Sequence, residues 1–171
     1  MTATPLLHTP RLLLRPLGPD CEALYQRFYT DADASRFYSG PLSPAAASAR
    51  LVSDQQAWAL QGFGVWALQQ RDSGALVGVC GFWQGRGWPC ELTWWLLPGA
   101  RGQGLAAEAS RAALQHAFSG FGWPRVTTYM NDNNLAARAL VQRLGGVSLG
   151  RHPFPDGLER EMFSFEPAAQ A

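Results

Sequence analysis

A glycine-rich turn ahead of an alanine-rich run is the segment of this sequence best suited to chemistry. It reads PGARGQGLAAEA at 98–109 and follows the hydrophobic stretch LTWWLL at 92–97, a pattern that predicts a strand, a turn and a helix start. The first amides of a helix lack partners within it and carry partial positive charge, so they bind phosphate readily. Gly102 and Gly104 leave room for phosphate oxygens to approach the backbone. The turn is therefore a candidate anion site.

The same turn matches the dinucleotide fingerprint G-x-G-x-x-A at 102–107. A dinucleotide site of that kind opens a βαβαβ unit and has an acidic ribose ligand roughly 20 residues further on. Here three predicted antiparallel strands precede the turn, and the segment GFGWPRVTT at 120–128 contains no aspartate or glutamate. This context argues against a nicotinamide cofactor. A plain helix entry with a flexible turn is the other alternative.

The charged residues exclude several classes of cofactor enzyme. All fourteen cations are arginine, whereas a P-loop and a pyridoxal-phosphate Schiff base each need a lysine. The histidines, His8, His116 and His152, are far apart, and the sequence contains no HExxH, CxxC or GxSxG motif. We therefore expect no metal ion and no serine-hydrolase site.

We expect a single domain spanning 1–171, and we expect the protein to be cytoplasmic. The chain is 47% apolar with a net charge of +1, which gives no basic surface for nucleic acid or an anionic membrane. No apolar run approaches the ~20 residues of a membrane span, and the first residues lack a secretory signal. The odd, unpatterned Cys21, Cys80 and Cys90 are typical of thiols in a reducing compartment. A monomer and a homodimer are both compatible with the sequence.

The hydrophobic pattern predicts the elements that must position the turn. We expect α/β structure of the α+β type, with a mixed, largely antiparallel central sheet of about six or seven strands and helices on both faces. The predicted strands are 11–17, 64–70, 75–83, 91–97, 125–131, 147–151 and 159–165. The predicted helices are 20–30, 44–61, 105–118 and 134–144, the second beginning at the cap Ser43-Pro44 and ending at Gly62.

Several segments together closely resemble the GNAT superfamily of N-acetyltransferases. They are TPRLLLRPL near the start, the hairpin GFGVWALQQRDSGALVGVCGFW, the strand and turn ELTWWLLPGARGQGLAAEASRAALQHAF, and NDNNLAARALVQRLGG near the end. Residues 101–106 match R-x-x-G-x-A, the pyrophosphate loop of this family. Among its branches, the sequence is most similar to the one that includes the N-terminal acetyltransferases of ribosomal proteins, the RimJ/RimL type.

The resemblance implies a GNAT-like fold and acetyl-CoA as co-substrate. The strand that ends at Leu97 would splay from its neighbour and offer backbone groups near Trp95, Leu96 and Leu97 to the pantetheine arm. The backbone from Gly102 through Gln103, Gly104 and Leu105 to Ala106 would hold the pyrophosphate, with Arg101 at the first position of the loop. Asn134 matches an asparagine that the family places against pantetheine, although a plain helix N-cap explains it equally well.

The resemblance also indicates the reaction. It implies direct transfer of an acetyl group from acetyl-CoA to a primary amine, either a protein N-terminus or a small molecule. Glu91 stands ten residues before Arg101, where related enzymes often have their general base, and Trp94 and Trp95 provide an apolar wall that would raise its pKa. A strand-end carboxylate that faces water or an arginine is the alternative. Glu108 in the following helix is expected to be structural.

The sequence departs from the family at the proton donor. Related enzymes commonly carry a tyrosine or serine on the last helix of the motif to protonate the departing thiolate, and Ala137 and Val141 occupy those positions here. Tyr129, on the preceding strand, is the nearest tyrosine; its face could border the splayed strands, but we expect it in the helix-covered core. The missing acid leaves a catalytically silent acyl-CoA-binding module as the alternative function.

Overall fold

The computed structural model describes residues 3–169 and contains two antiparallel sheets. The first sheet has five strands in chain order: β1 (Leu7–His8), β2 (Leu12–Arg15), β3 (Val65–Gln70), β4 (Leu76–Trp83) and β5 (Glu91–Leu96). The second sheet has the spatial order β6 (Val126–Tyr129), β8 (Glu159–Phe165) and β7 (Val147–Pro153).

Four helices connect these strands. They are α1 (Glu22–Tyr29) and α2 (Pro44–Gln61) between β2 and β3, α3 (Leu105–Ser119) between β5 and β6, and α4 (Leu135–Arg143) between β6 and β7. One short 3₁₀ turn, Pro19–Cys21, lies directly before α1. Another, Pro98–Ala100, forms the start of the glycine-rich turn.

Local signals in the sequence explain where α2 begins and ends. The Ser43 hydroxyl accepts a hydrogen bond from the Ala46 amide at 3.1 Å, and Pro44 occupies the first helical position, where its missing N–H costs nothing. Gly62 ends the helix in the left-handed conformation, with φ of +78°, which glycine adopts without a steric penalty. The predicted bounds of this helix are confirmed.

Helices pack on both faces of the first sheet. On one face, Ala109, Ala113 and Ala117 of α3 are fully buried, because their small side chains let the helix lie flat on the strands. On the other face, α1 packs on Trp95, whose ring stacks on that of Phe28 with 4.0 Å between centroids. The sequence prediction of helices on both faces is confirmed.

Strands β5 and β6 lie side by side without a backbone ladder. The Thr127 hydroxyl donates to the Cys90 carbonyl at 2.6 Å, and the Thr128 hydroxyl donates to the Leu92 carbonyl at 2.8 Å. From the first of these bonds to the second, the residue numbers increase on both sides, so the two strands run parallel at this end. Beyond Leu92 the space between them is open.

The predicted fold class is confirmed: the chain is α/β with largely antiparallel strands, and residues 3–169 contain four α-helices. The hydrophobic pattern did not predict β1, which has only two residues, and the separation of β5 from β6 was implied by the family resemblance and not by the pattern. Neither feature leaves a hydrophobic pattern, because the first is too short and the second depends on which backbone groups stay unpaired.

Candidate functional site

A cavity of about 910 Å³ occupies the gap between β5 and β6. The segment after α1, the middle of α2 and the end of β4 form one side of it. The other side is formed by β6, the segment leading into α4, and the β7–β8 hairpin. The floor is the first part of β5, from Glu91 to Trp94. The cavity is therefore enclosed by elements that are distant in sequence.

Glu91 directs its carboxylate into this cavity rather than to the outer surface. The residue is partly buried, and burial is the main cause that raises its pKa to about 8. The nearby Arg50 guanidinium, the Tyr129 hydroxyl and Arg160 act in the opposite direction. A carboxyl group with a pKa near the working pH is suited to general-base chemistry.

The Tyr129 hydroxyl lies beside this carboxylate. It is one of only two buried side-chain polar atoms within residues 3–169 that have no hydrogen-bond partner; the other is Arg50 Nε. Tyr129 is 9% exposed, and its ring packs on Trp88 and Phe154. The prediction that it lies in the helix-covered core is wrong: Tyr129 lines the cavity, because its side chain points from β6 into the gap beside β5.

The pH dependence of stability tests the buried state of Glu91. The folded-state pKa of Glu91, about 8, lies above the unfolded value of 4.5. The contribution of Glu91 to stability is therefore fully present below pH 4.5 and is lost as the pH rises through 8. Glu91→Gln removes this titration. We therefore expect the variant to gain stability relative to wild type between pH 5 and pH 9, by about 2 kcal/mol, which is less than the full linkage value because the carboxylate is partly solvated.

Urea unfolding of both proteins at the two pH values measures this difference. The same replacement at Glu166, an exposed position, is the control. If the difference in unfolding free energy between wild type and Glu91→Gln is the same at pH 5 and pH 9, the pKa of Glu91 is not raised by burial.

The glycine-rich turn presents a row of backbone amides. Within the described residues, none of the amides from Gly102 to Ala106 donates a hydrogen bond to a protein group. Gly102 and Gly104 have φ of +76° and +79°, which curl the backbone around the start of α3. Successive unpaired amides at a helix start form an anion-binding concavity.

Other side chains hold the turn in place. Arg11 donates through Nη1 to the Gln103 carbonyl at 2.7 Å and through Nε to Glu108 at 2.8 Å. Glu108 also accepts from the Thr9 hydroxyl at 2.6 Å and from the Arg11 amide at 2.9 Å. Glu108 is therefore structural, as the sequence predicted, because it ties the segment between β1 and β2 to the first turn of α3.

Arg101 turns away from the unpaired amides. Its Nε donates to the Leu96 carbonyl at 3.2 Å, and its Nη2 donates to the Ala34 carbonyl at 3.0 Å. The side chain thus joins the end of β5 to the segment after α1. The Arg101 amide donates to the Pro98 carbonyl at 3.2 Å, so it is not one of the unpaired amides of the turn.

The backbone groups of the even-numbered residues of β5 face its open edge, away from β4. The Trp94 carbonyl accepts from the Tyr38 hydroxyl, and the Leu96 carbonyl accepts from Arg101, so both face away from β4. Their amides share that orientation because the backbone alternates along a strand. The edge available to a ligand is therefore that of Trp94 and Leu96. Only Leu96 was among the predicted residues, and Trp94 was missed.

Trp95 and Leu97 have the opposite orientation. The Leu97 amide donates to the Val77 carbonyl at 2.8 Å, and Trp95 pairs with Val79 of β4. Their backbone groups are engaged with β4. Contacts between these two residues and pantetheine would have to come from other atoms.

Asn134 is the N-cap of α4, and its side chain also lines the cavity. Its Oδ1 accepts from the Ala137 amide at 3.2 Å. The Nδ2 group has no hydrogen bond to the described part of the protein, so its two donors are available to a ligand. Ala137 also lines the cavity, and Val141 is fully buried.

Residues 3–169 contain neither a cluster of metal-ligating side chains nor a helix suited to crossing a membrane. No three His, Cys, Asp or Glu side chains lie close enough together to hold a metal ion. No helix in this range has the length and apolar character needed to cross a membrane.

Solved structures of acetyltransferases are similar to this protein over nearly its whole length. An acetyltransferase from Agrobacterium tumefaciens is 27% identical, with a TM-score of 0.88, over 98% of this chain and 97% of its own. A GNAT-family acetyltransferase from Bordetella pertussis is also 27% identical, with a TM-score of 0.77, over 94% and 99%. RimL, a ribosomal L7/L12 α-N-protein acetyltransferase solved with coenzyme A, has the same fold at 14% identity, with a TM-score of 0.76 over 97% and 100%.

The model of one protein family matches most of the sequence. Its description is "Acetyltransferase (GNAT) domain", and the match covers residues 11–147. This range includes the cavity floor, the glycine-rich turn and α4. The chain therefore belongs to the GNAT acetyltransferase family.

Proposed function

We propose that the protein, as a single catalytic domain over 1–171, transfers the acetyl group of acetyl-CoA directly to the nitrogen of a primary amine. The observation that carries the proposal is the position of Glu91. Its carboxylate has a pKa of about 8 and lies in a cavity at the start of β5, and the end of the same strand leads to five unpaired amides.

The unpaired groups of the cavity and turn fit acetyl-CoA, which would supply an activated acetyl thioester. The amides from Gly102 to Ala106 would hold the pyrophosphate. The open edge of Leu96 and Trp94, with the Asn134 side-chain amide, would hold the pantetheine arm. In support, RimL, which has the same fold, was solved in complex with coenzyme A. The Tyr38 hydroxyl donates a hydrogen bond to the Trp94 carbonyl. Pantetheine could bond to this carbonyl only by replacing Tyr38 or by sharing the acceptor with it.

In this proposal Glu91 is the general base. An amine reaches the site largely as an ammonium ion, and only the neutral form attacks a carbonyl carbon. The ionised Glu91 carboxylate accepts one proton from the ammonium, and the neutral nitrogen then forms its bond to the acetyl carbon while the carbon–sulfur bond breaks. The departing thiolate takes up the second proton, which the nitrogen loses as it becomes an amide. A thiol of pKa about 8.5 is a fair leaving group near neutrality, so the reaction does not require an acid at Ala137 or Val141.

The acceptor is proposed as a protein N-terminal amine or a small-molecule amine. The first is supported by RimL, which shares the fold and acts on a ribosomal protein, and by the sequence resemblance to that branch. We propose that the protein acts in the cytoplasm, as a monomer or homodimer, without nucleic acid or membrane partners. A catalytically silent acyl-CoA-binding module is the second candidate, because Ala137 and Val141 stand where relatives have the acid.

Thermal unfolding with ligands tests the binding half of the proposal. At a concentration near 100 Kd, acetyl-CoA should stabilise the fold by about 2.7 kcal/mol, whereas NADPH should have no effect. Thiol release with a panel of amines then separates an enzyme from a silent binder. Stabilisation by NADPH and not by acetyl-CoA would contradict the proposal.

A further inference from the structure

Four arginines line the cavity, and they differ in how their donors are used. Arg160 is buried and donates to Asp156 at 3.0 and 2.6 Å and to Asn131 at 3.0 Å. Arg151 donates to Asp132 at 3.2 and 3.0 Å and to the carbonyl of Glu159. These two guanidinium groups are already paired within the protein.

Arg36 is the most exposed of the four. Its side chain is 62% exposed, and it approaches Asp33 only at 3.7 Å. A mobile, solvated arginine of this kind contributes little to selective binding, because solvent screens its charge and fixing the side chain costs entropy.

Arg50 differs from the other three because it is held in place by an ion pair, yet its donors make no hydrogen bond to the described part of the protein. Its Nε lies 3.3 Å from Asp54 Oδ1, an ion pair within α2 whose angle is too poor for a hydrogen bond. Within residues 3–169 neither of its Nη atoms donates a hydrogen bond either. The guanidinium lies over the rings of Trp83, at 5.5 Å, and Tyr29, at 5.9 Å.

Asp54 is itself held firmly. It is 5% exposed and accepts a hydrogen bond from the Tyr25 hydroxyl at 2.7 Å. This bond connects α2 to α1 and fixes the carboxylate that anchors Arg50. The result is a preoriented guanidinium with free donors on the wall of the cavity that also holds Glu91.

We propose that Arg50 is a specificity-determining residue and that the amine acceptor carries a carboxylate, which the free Nη donors of Arg50 bind while Glu91 faces the amine. This inference rests on the proposed function. The planar guanidinium presents parallel N–H donors that match the two oxygens of a carboxylate. Such a carboxylate would be found in a free amino acid or in an acidic residue near a peptide N-terminus.

The test compares acceptors that differ only in this group. The first pair is an amino acid and its carboxamide; the second is two short peptides with aspartate or asparagine directly after the same N-terminal residue. Thiol release gives kcat/KM for each acceptor at several pH values. For wild type we expect at least a tenfold preference for the carboxylate member of one pair, and the pair that shows it identifies the source of the group.

In Arg50→Gln the preference should fall to within twofold, through a higher KM for the carboxylate acceptor and a nearly unchanged KM for its neutral partner. Arg50→Lys keeps a charge beside Asp54 if the glutamine variant fails to fold, and it should reduce the preference at least threefold because it lacks the planar fork. Arg125→Gln, at an exposed ion pair with Glu166, is the matched control and should keep the full preference.

Three outcomes overturn the inference. Wild type could acetylate both members of each pair equally. An Arg50 variant could retain the full preference. Arg50→Gln could also lower activity equally toward both members with a shifted pH profile, which would mean that Arg50 acts only through Glu91. Thiol release with none of the amines would instead overturn the proposed function and the inference together.

Discussion

Glu91→Gln is expected to lower kcat at pH 7 by roughly 10²–10⁴-fold, the usual contribution of a general base. Glutamine keeps the shape of the side chain but cannot accept the proton of the amine. Because the pKa of Glu91 is about 8, wild-type kcat should rise with pH and level off above that value. The variant should lack this titration and recover partly at high pH, where more of the amine is neutral.

The measurement is steady-state thiol release between pH 6 and pH 10 with saturating acetyl-CoA. Glu166→Gln, outside the cavity, controls for the loss of one carboxylate. Coenzyme A affinity should be the same in all three proteins, because Glu91 lies at the far end of β5 from the turn. A Glu91→Gln enzyme within threefold of wild type at pH 7 would exclude Glu91 as the base.

Gln103→Glu is expected to weaken acetyl-CoA binding at least tenfold, about 1.4 kcal/mol. The new carboxylate would lie beside the unpaired amides from Gly102 to Ala106, where it repels a pyrophosphate and competes for the same donors. The fold should not suffer, since an acidic residue at a helix N-terminus is favourable. Gln103 is exposed, and its side chain bonds only the Gly99 carbonyl.

Calorimetric titration with acetyl-CoA checks this result, together with thermal unfolding of the free protein. Gln115→Glu makes the same change on an exposed position near the other end of α3 and should leave affinity unchanged. Valine at Gly104 is a poorer test, because the φ of +79° there strains any branched residue and would disturb the turn itself. If Gln103→Glu binds acetyl-CoA with wild-type affinity, this turn is not the binding site of the pyrophosphate.

Most of the fold follows from short-range patterns in the sequence. Helix α2 has a serine cap, a proline at its first position and a terminal glycine, and the structure places its ends at Pro44 and Gln61 as predicted. Strands β2 to β5 of the first sheet follow from alternating and continuous apolar runs. The glycine-rich turn at 98–109 also forms as predicted, because its strand, turn and helix are contiguous.

The sequence predicts that the two N-terminal helices wall the substrate side, but it did not predict which of their side chains and neighbours reach the cavity. Arg50 and Tyr38 lie more than thirty residues before Glu91 in sequence, and nothing in their local pattern marks them as neighbours of a site. Tyr129 was placed on the wrong side because strand alternation gives two faces but does not say which one opens into a gap. The orientation of Trp94 and Leu96 depended on which edge of β5 pairs with β4, a long-range property that periodicity alone does not give.

Mass spectrometry of the acceptor after reaction with isotopically labelled acetyl-CoA tests the central claim most directly. The protein should place one labelled acetyl group on the amine nitrogen for each thiol released, and the enzyme itself should remain unlabelled, because the transfer is direct. Thiol release without an acetylated amine, or a labelled enzyme that passes its acetyl group to the amine in a second step, would contradict direct transfer assisted by Glu91.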